Sequence, residues 1–109
     1  MSINYRELLT QQLTTLASSA CRDPTLQYHS IIDHTLNHYL LVCTGWLDIR
    51  RICATCLFVR LQDDKIWIEQ DDTDGDIATQ LQQAGVPYHH IVLAFHHPNI
   101  RSLTPYALE

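Results

Sequence analysis

Seven histidines, four cysteines and a run of acids are the residues of this chain with the most reactive side chains. His34 and His38 are four apart, a spacing that brings two imidazoles to one metal ion on a helix. The second lies in a segment that reads as strand, where four residues span about 13 Å, too far for one ion. His89-His90 and His96-His97 are adjacent pairs, and neighbours on extended backbone point to opposite sides. No metal ion and no other cofactor is expected. Cys53-Ala54-Thr55-Cys56 has C-x-x-C spacing. A redox pair, however, needs its first thiol at a helix N-terminus, and this one reads as mid-strand, with its two thiols on opposite faces. Asp71-Asp72-Thr73-Asp74-Gly75-Asp76 looks like a calcium loop until the register is checked. Setting Gly75 at the loop glycine puts Gln70 at the first ligand position and Leu81 where a bidentate Glu is required. No serine stands in a G-x-S-x-G elbow, and three glycines are too few for a phosphate cradle, so no catalytic residue is expected.

Trp46 and Trp67 are different in kind. Trp67 alternates with Ile66 and Ile68, so a helix covers it or it is exposed. Exposed aromatics beside arginine are frequent anchors of protein interfaces. Trp46, Arg50, Arg51, Trp67, His96 and Arg101 are therefore the candidate partner-binding residues. A rival reading groups Asp71, His96 and Arg101 as the polar site of a small hydrolase or nuclease subunit, because polar residues cluster after the fourth and last strands. A third uses the Arg50-Arg51 hairpin for direct DNA contact.

Charge weighs against the third. Seven Lys and Arg against twelve Asp and Glu leave a net charge of −5, with Lys65 the single lysine. A duplex is bound chiefly by cations neutralising phosphates, so autonomous nucleic-acid binding is not expected. With 109 residues, 46% of them hydrophobic, the chain reads as one domain over 1–109. No apolar run is long enough for a membrane span and no secretory signal is visible, so the expected location is the cytoplasm, with reduced thiols.

Hydrophobic periodicity supplies the elements. Tyr5, Leu8, Leu9, Leu13, Leu16, Ala17 and Ala20 form one helical stripe, with Asn4 as N-cap, Glu7 as its capping-box partner and Asp23-Pro24 as its end. Period two then predicts strands over 28–33, 36–46, 51–61 and 65–69, joined by short polar connections into an antiparallel meander. Thr73 with Asp76 reads as the capping box of a second helix, whose buried stripe is Ile77, Ala78, Leu81 and Ala84. Gly85 is its C-terminal cap. Residues 91–95 read as a strand covered on both faces, followed by a turn at Pro98 and an irregular tail. The expected class is α+β: an N-terminal helix, a four-stranded antiparallel meander, a second helix and a final strand.

These elements carry a resemblance. His38-Tyr39-Leu40-Leu41-Val42, Gly45-Trp46, Arg50-Arg51, Lys65-Ile66-Trp67-Ile68-Glu69-Gln70-Asp71 with Thr73, Ile77-Ala78, Leu81, Gly85-Val86-Pro87, Ile91-Val92-Leu93, Phe95-His96, Pro98, Arg101 and Thr104 occur in the order found in the XisI family. That family comprises the fdxN element excision controlling factors of cyanobacteria. The sequence departs from it at Leu47-Asp48-Ile49, where the family's turn carries Gly, and at Phe58, His90 and Ala94, which stand for His, an acid and Gly. The resemblance implies an accessory factor for programmed DNA excision, working with a site-specific recombinase and a companion factor, XisH. It implies no catalytic residues. A homo-oligomer through a sheet edge or the tryptophan face is a further expectation, since a single open sheet leaves edges to be managed.

Overall fold

In a computed structural model of the chain, the residues described are 4–18, 24–73 and 76–109. The first helix, α1, runs Tyr5–Ser18. Asn4 caps it, its Oδ1 accepting from the Glu7 amide at 3.2 Å. Leu9 and Leu13 are fully buried, each contributing about 1.5–3 kcal/mol of apolar burial. Ala20, Cys21 and the Asp23 stop signal lie outside the described residues, as do Asp74 and Gly75 of the acidic loop.

Four strands follow: β1 (Leu26–Asp33), β2 (His38–Leu47), β3 (Arg50–Gln62) and β4 (Lys65–Asp71). Each pairs antiparallel with the next, as the alternating pattern predicts. The hairpins are tight because polar residues accept left-handed backbone. Asp63 (φ 54°) and Asp64 (φ 61°) form a two-residue turn of the type whose twist matches the flanking strands. In the β2–β3 turn Asp48 alone takes positive φ, 58°. Two bulges interrupt the ladders. Cys56 is the extra residue of β3 against β2, and Glu69 the extra residue of β4 against β3.

The second helix, α2 (Ile77–Gln83), begins later than its capping box predicts. Asp76, not Thr73, is the N-cap, accepting from the Ala78 and Thr79 amides. Thr73 instead turns back on Asp71. Gly85 does end the helix, at φ 105°, with the Val86 amide bonded to the Leu81 carbonyl at 3.0 Å. A 3-10 turn (Tyr88–His90) leads into β5, which spans only Ile91–Leu93 and lies parallel to β4. The strand stops short of residue 95 because the His96 amide turns back to the Leu93 carbonyl. The tail is more regular than expected: Pro98–Arg101 form a short helix, α3, with Pro at its start. Beyond it Val92 bridges to Ala107 on the free edge of β5.

The sheet order is β1-β2-β3-β4-β5. Alternation divides its side chains cleanly. Tyr39, Leu41, Leu57, Val59, Ile66, Ile68, Ile91 and Leu93 join Leu9 and Leu13 of α1 and Ile77, Ala78 and Leu81 of α2 in one core cluster. Both helices therefore lie on the same, inner face. Among the described residues none of the helices is long and apolar enough to cross a membrane.

Candidate functional site

With α1 and α2 on the inner face, the outer face of β1 to β4 has, among the described residues, no covering helix except at Trp67, which Arg101 of α3 overlies, while Val92 of β5 is fully buried. The strand register puts there His29, Ile31 and Asp33 of β1, then His38, Leu40, Val42, Thr44 and Trp46 of β2. From β3 and β4 come Arg51, Cys53, Thr55, Phe58, Arg60, Lys65, Trp67 and Glu69. Ile31 is 49% exposed and Trp46 50% exposed, while Leu40, Val42, Phe58 and Trp67 are half-buried. The centre is apolar and the margin charged, the anatomy of a protein interface.

The two tryptophans mark opposite ends of this face. At one end the Arg51 guanidinium lies 5.3 Å from the Trp46 ring centroid and donates to the Gly45 carbonyl at 3.4 Å. At the other, Trp67 carries two guanidiniums, Arg60 at 5.5 Å and Arg101 at 5.9 Å. It thus packs under arginines, one of them the last residue of α3. Each such contact contributes about 0.5–1 kcal/mol where exposed. Eight residues along β2 separate His38, which shares a row with Trp67, from Trp46, or about 26 Å at 3.3 Å per residue. The candidates therefore form two clusters.

Arg60 was the residue missed by reading the sequence. Its Nε donates to Glu69 Oε1 at 2.7 Å and its Nη1 to Gln62 Oε1 at 2.7 Å. The signal was present, since a two-residue turn at Asp63-Asp64 dictates that Arg60 pairs with Trp67. Arg50 belongs to neither cluster, because alternation sends it to the side opposite Arg51.

Arg101 has a structural task. Its three nitrogens donate to the carbonyls of His96 (3.0 Å), Leu108 (3.1 Å) and Ala94 (3.3 Å), so it fastens the C-terminal segment to the end of β5. His96 enters through its carbonyl, while its ring rests on Phe95. Asp71, the third member of the rival hydrolase site, accepts from the Thr73 amide, the Thr73 hydroxyl and the Ile77 amide. No hydrogen bond among the described residues links it to His96 or Arg101. The trio does not assemble into a catalytic constellation.

The other reactive groups are equally committed. His34 stacks edge-on against Tyr39 and His38 against Phe58, and the described residues hold no cluster of three or more metal-ligating side chains. Burial, with Cys43 close by, pushes the Cys56 thiol up, which keeps it protonated and a poor nucleophile. A concavity of about 650 Å³ opens between α1 and the β3–β4 hairpin, lined in part by Tyr5, Arg6, Asn37, Asp63, Asp64 and His90. Tyr5 there shares a hydrogen bond with His90, and burial together with Asp64 holds its phenol above the usual range. It offers no activated nucleophile.

Comparison with known proteins agrees with the resemblance in the sequence. The XisI family profile (XisI protein) matches residues 1–108. No curated protein matches. Among solved structures, a XisI-like protein from Anabaena variabilis ATCC 29413 shares 34% identity, with 96% of each chain covered and a TM-score of 0.87. The fdxN element excision controlling factor XisI from the same organism shares 33% identity over 96% of each chain, with a TM-score of 0.80. Sequence motifs, strand order and near full-length superposition thus agree, and the chain belongs to the XisI family.

Proposed function

We propose that this protein is a non-enzymatic accessory factor that controls excision of a DNA element of the fdxN type, and that it acts through other proteins. Its partners are a companion excision factor of the XisH kind and the site-specific recombinase, met in the cytoplasm. One observation carries the reading: a sheet face uncovered by α1 or α2, apolar at its centre, with an arginine stacked on a tryptophan at each end. Trp and Arg are the residues most enriched among interface hot spots. The net charge of −5 agrees with an indirect role in excision, since a duplex would be repelled at long range. The neighbouring structure of an excision controlling factor supplies the process.

The test is co-elution of the purified chain with the companion factor. A complex is expected at micromolar concentrations, weakened by replacing Trp46 and Arg51 together with alanine. Absence of any complex with folded protein at about 100 µM, a binding free energy weaker than roughly −5.5 kcal/mol, overturns the proposal.

A further inference from the structure

Among the described residues the outer sheet face has no covering helix over β1 to β3, and its register allows the occupant to be chosen. We infer that, in the absence of another partner, a second copy of this chain covers it, sheet against sheet, so that the free protein is a homodimer; this rests on the reading of that face as a protein-contact surface.

The first argument is size. Four strands at about 4.8 Å spacing give a width of about 19 Å, and the ten residues of β2 at about 3.3 Å each give about 33 Å of length. The face thus offers about 600 Å² per copy, the lower bound of a standard stable interface. The second is neutrality at the centre. Ile31, Leu40, Val42, Thr55 and Phe58 carry no charge, and the ion pair on the face, Arg60 with Glu69, is already matched within the chain. Closing the face strands no unpaired central charge, which would otherwise be costly.

The third argument is self-complementarity, which a two-fold interface requires. A two-fold axis parallel to the strands, running between β2 and β3, lays β1 over the mate's β4 and β2 over the mate's β3. Leu40 and Val42 then face the mate's β3 centre, Phe58 and Thr55. The Trp46 row meets the row of Arg51, and the acid at the β1 edge, Asp33, meets the mate's Trp67, on which Arg60 and Arg101 stack. Leu40 meets an apolar ring, Val42 and Ile31 meet the uncharged Thr55 and Gln70, and cations meet an aromatic ring or an acid. Packing of two such sheets about 10 Å apart, with strands near −30°, is the ordinary sandwich arrangement. Nucleic acid fits less well. The face holds four cations, Arg51, Arg60, Lys65 and Arg101; Arg60 is held by Glu69 and Arg101 by three carbonyls.

Sedimentation equilibrium of the full chain tests this directly. The expected mass is twice 12.6 kDa at about 100 µM, falling towards 12.6 kDa on dilution. Leu40→Glu is expected to be monomeric. Trp46→Ala and the milder Ile31→Lys, both at half-exposed positions, should raise the dissociation constant at least about tenfold while leaving the folded spectrum intact. Glu7→Arg on α1, across the sheet, should leave it unchanged. Cys53, exposed on this face, should lose maleimide reactivity as the dimer forms. A monomer at every concentration overturns the inference, as does a dimer indifferent to Trp46→Ala and Ile31→Lys. A monomer that still binds the companion factor leaves the proposed function standing and removes only this step; a monomer that binds nothing removes both. Retention of an oligonucleotide at physiological salt, lost with Trp46→Ala, would instead make the face a nucleic-acid platform.

Discussion

Arg101→Met removes the fastening of the C-terminal segment while keeping an apolar stem against Trp67. The wild-type guanidinium donates to three carbonyls at 3.0, 3.1 and 3.3 Å, and all three lose a charged donor at once. A hydrogen bond to a charged group contributes about 1.5–3 kcal/mol. The side chain is part-exposed and water can reach some of the carbonyls, so the loss is set near the low end and below additivity, about 2–4 kcal/mol. For a chain of about 100 residues this lowers the Tm by about 8–16 °C, at roughly 4 °C per kcal/mol. Urea unfolding followed by tryptophan fluorescence measures it, with Trp67 reporting from beneath the missing charge. Hydrogen exchange supplies a local readout. The Ala107 amide, bonded to the Ile91 carbonyl at 2.9 Å, should lose protection before the strands β2 and β3 do. Arg101→Lys should recover little, since one ammonium cannot serve three carbonyls in the geometry of a planar fork. Stability of Arg101→Met within 0.5 kcal/mol of wild type, the range of an ordinary surface substitution, would refute the reasoning. Arg101 would then be free to serve as a partner anchor.

Three further outcomes follow from backbone and burial. Gly45→Ala should cost about 2–4 kcal/mol in the same urea titration, because Gly45 sits at φ 148° and a Cβ would lie 2.1 Å from the Thr25 carbonyl oxygen. Asp48→Gly should stabilise by up to about 1 kcal/mol, by relieving a left-handed residue in the β2–β3 turn; a loss of stability would mean that the aspartate side chain supports the turn. Tyr39→Phe should be neutral or raise the Tm slightly. The Tyr39 ring is fully buried and its hydroxyl has no hydrogen-bond partner, and burial holds its phenol above the usual range, so deletion removes an unmatched polar group and little else.

Most of the secondary structure was legible because the chain changes period where it changes element. The stripe of α1, the alternation in β1 to β4, the glycine cap of α2 and the buried triplet of β5 all follow from side-chain spacing alone. The start of α2 was not legible, because Thr73 and Asp76 are both good caps and only the backbone path after β4 selects the second. The short helix after Pro98 and the bulges at Cys56 and Glu69 were invisible too, since one inserted residue leaves the composition of a strand unchanged.

The candidate surface was half legible. Trp46, Arg51, Trp67 and Arg101 were recognisable as candidate anchors, but the sequence paired none of them and assigned all four to one binding surface. It is silent on the fact that the Arg101 guanidinium finds three carbonyls, one of them seven residues further along the chain. It is equally silent on which face a helix covers. Periodicity tells that α1, α2 and the sheet each have an apolar side, because that is a property of each segment taken alone. Whether the two helices take opposite faces or the same one depends on the path of the connections and on how much volume the core must fill. Both went to the inner face, and that choice alone left Trp46, Ile31 and the apolar rows between them open to a partner.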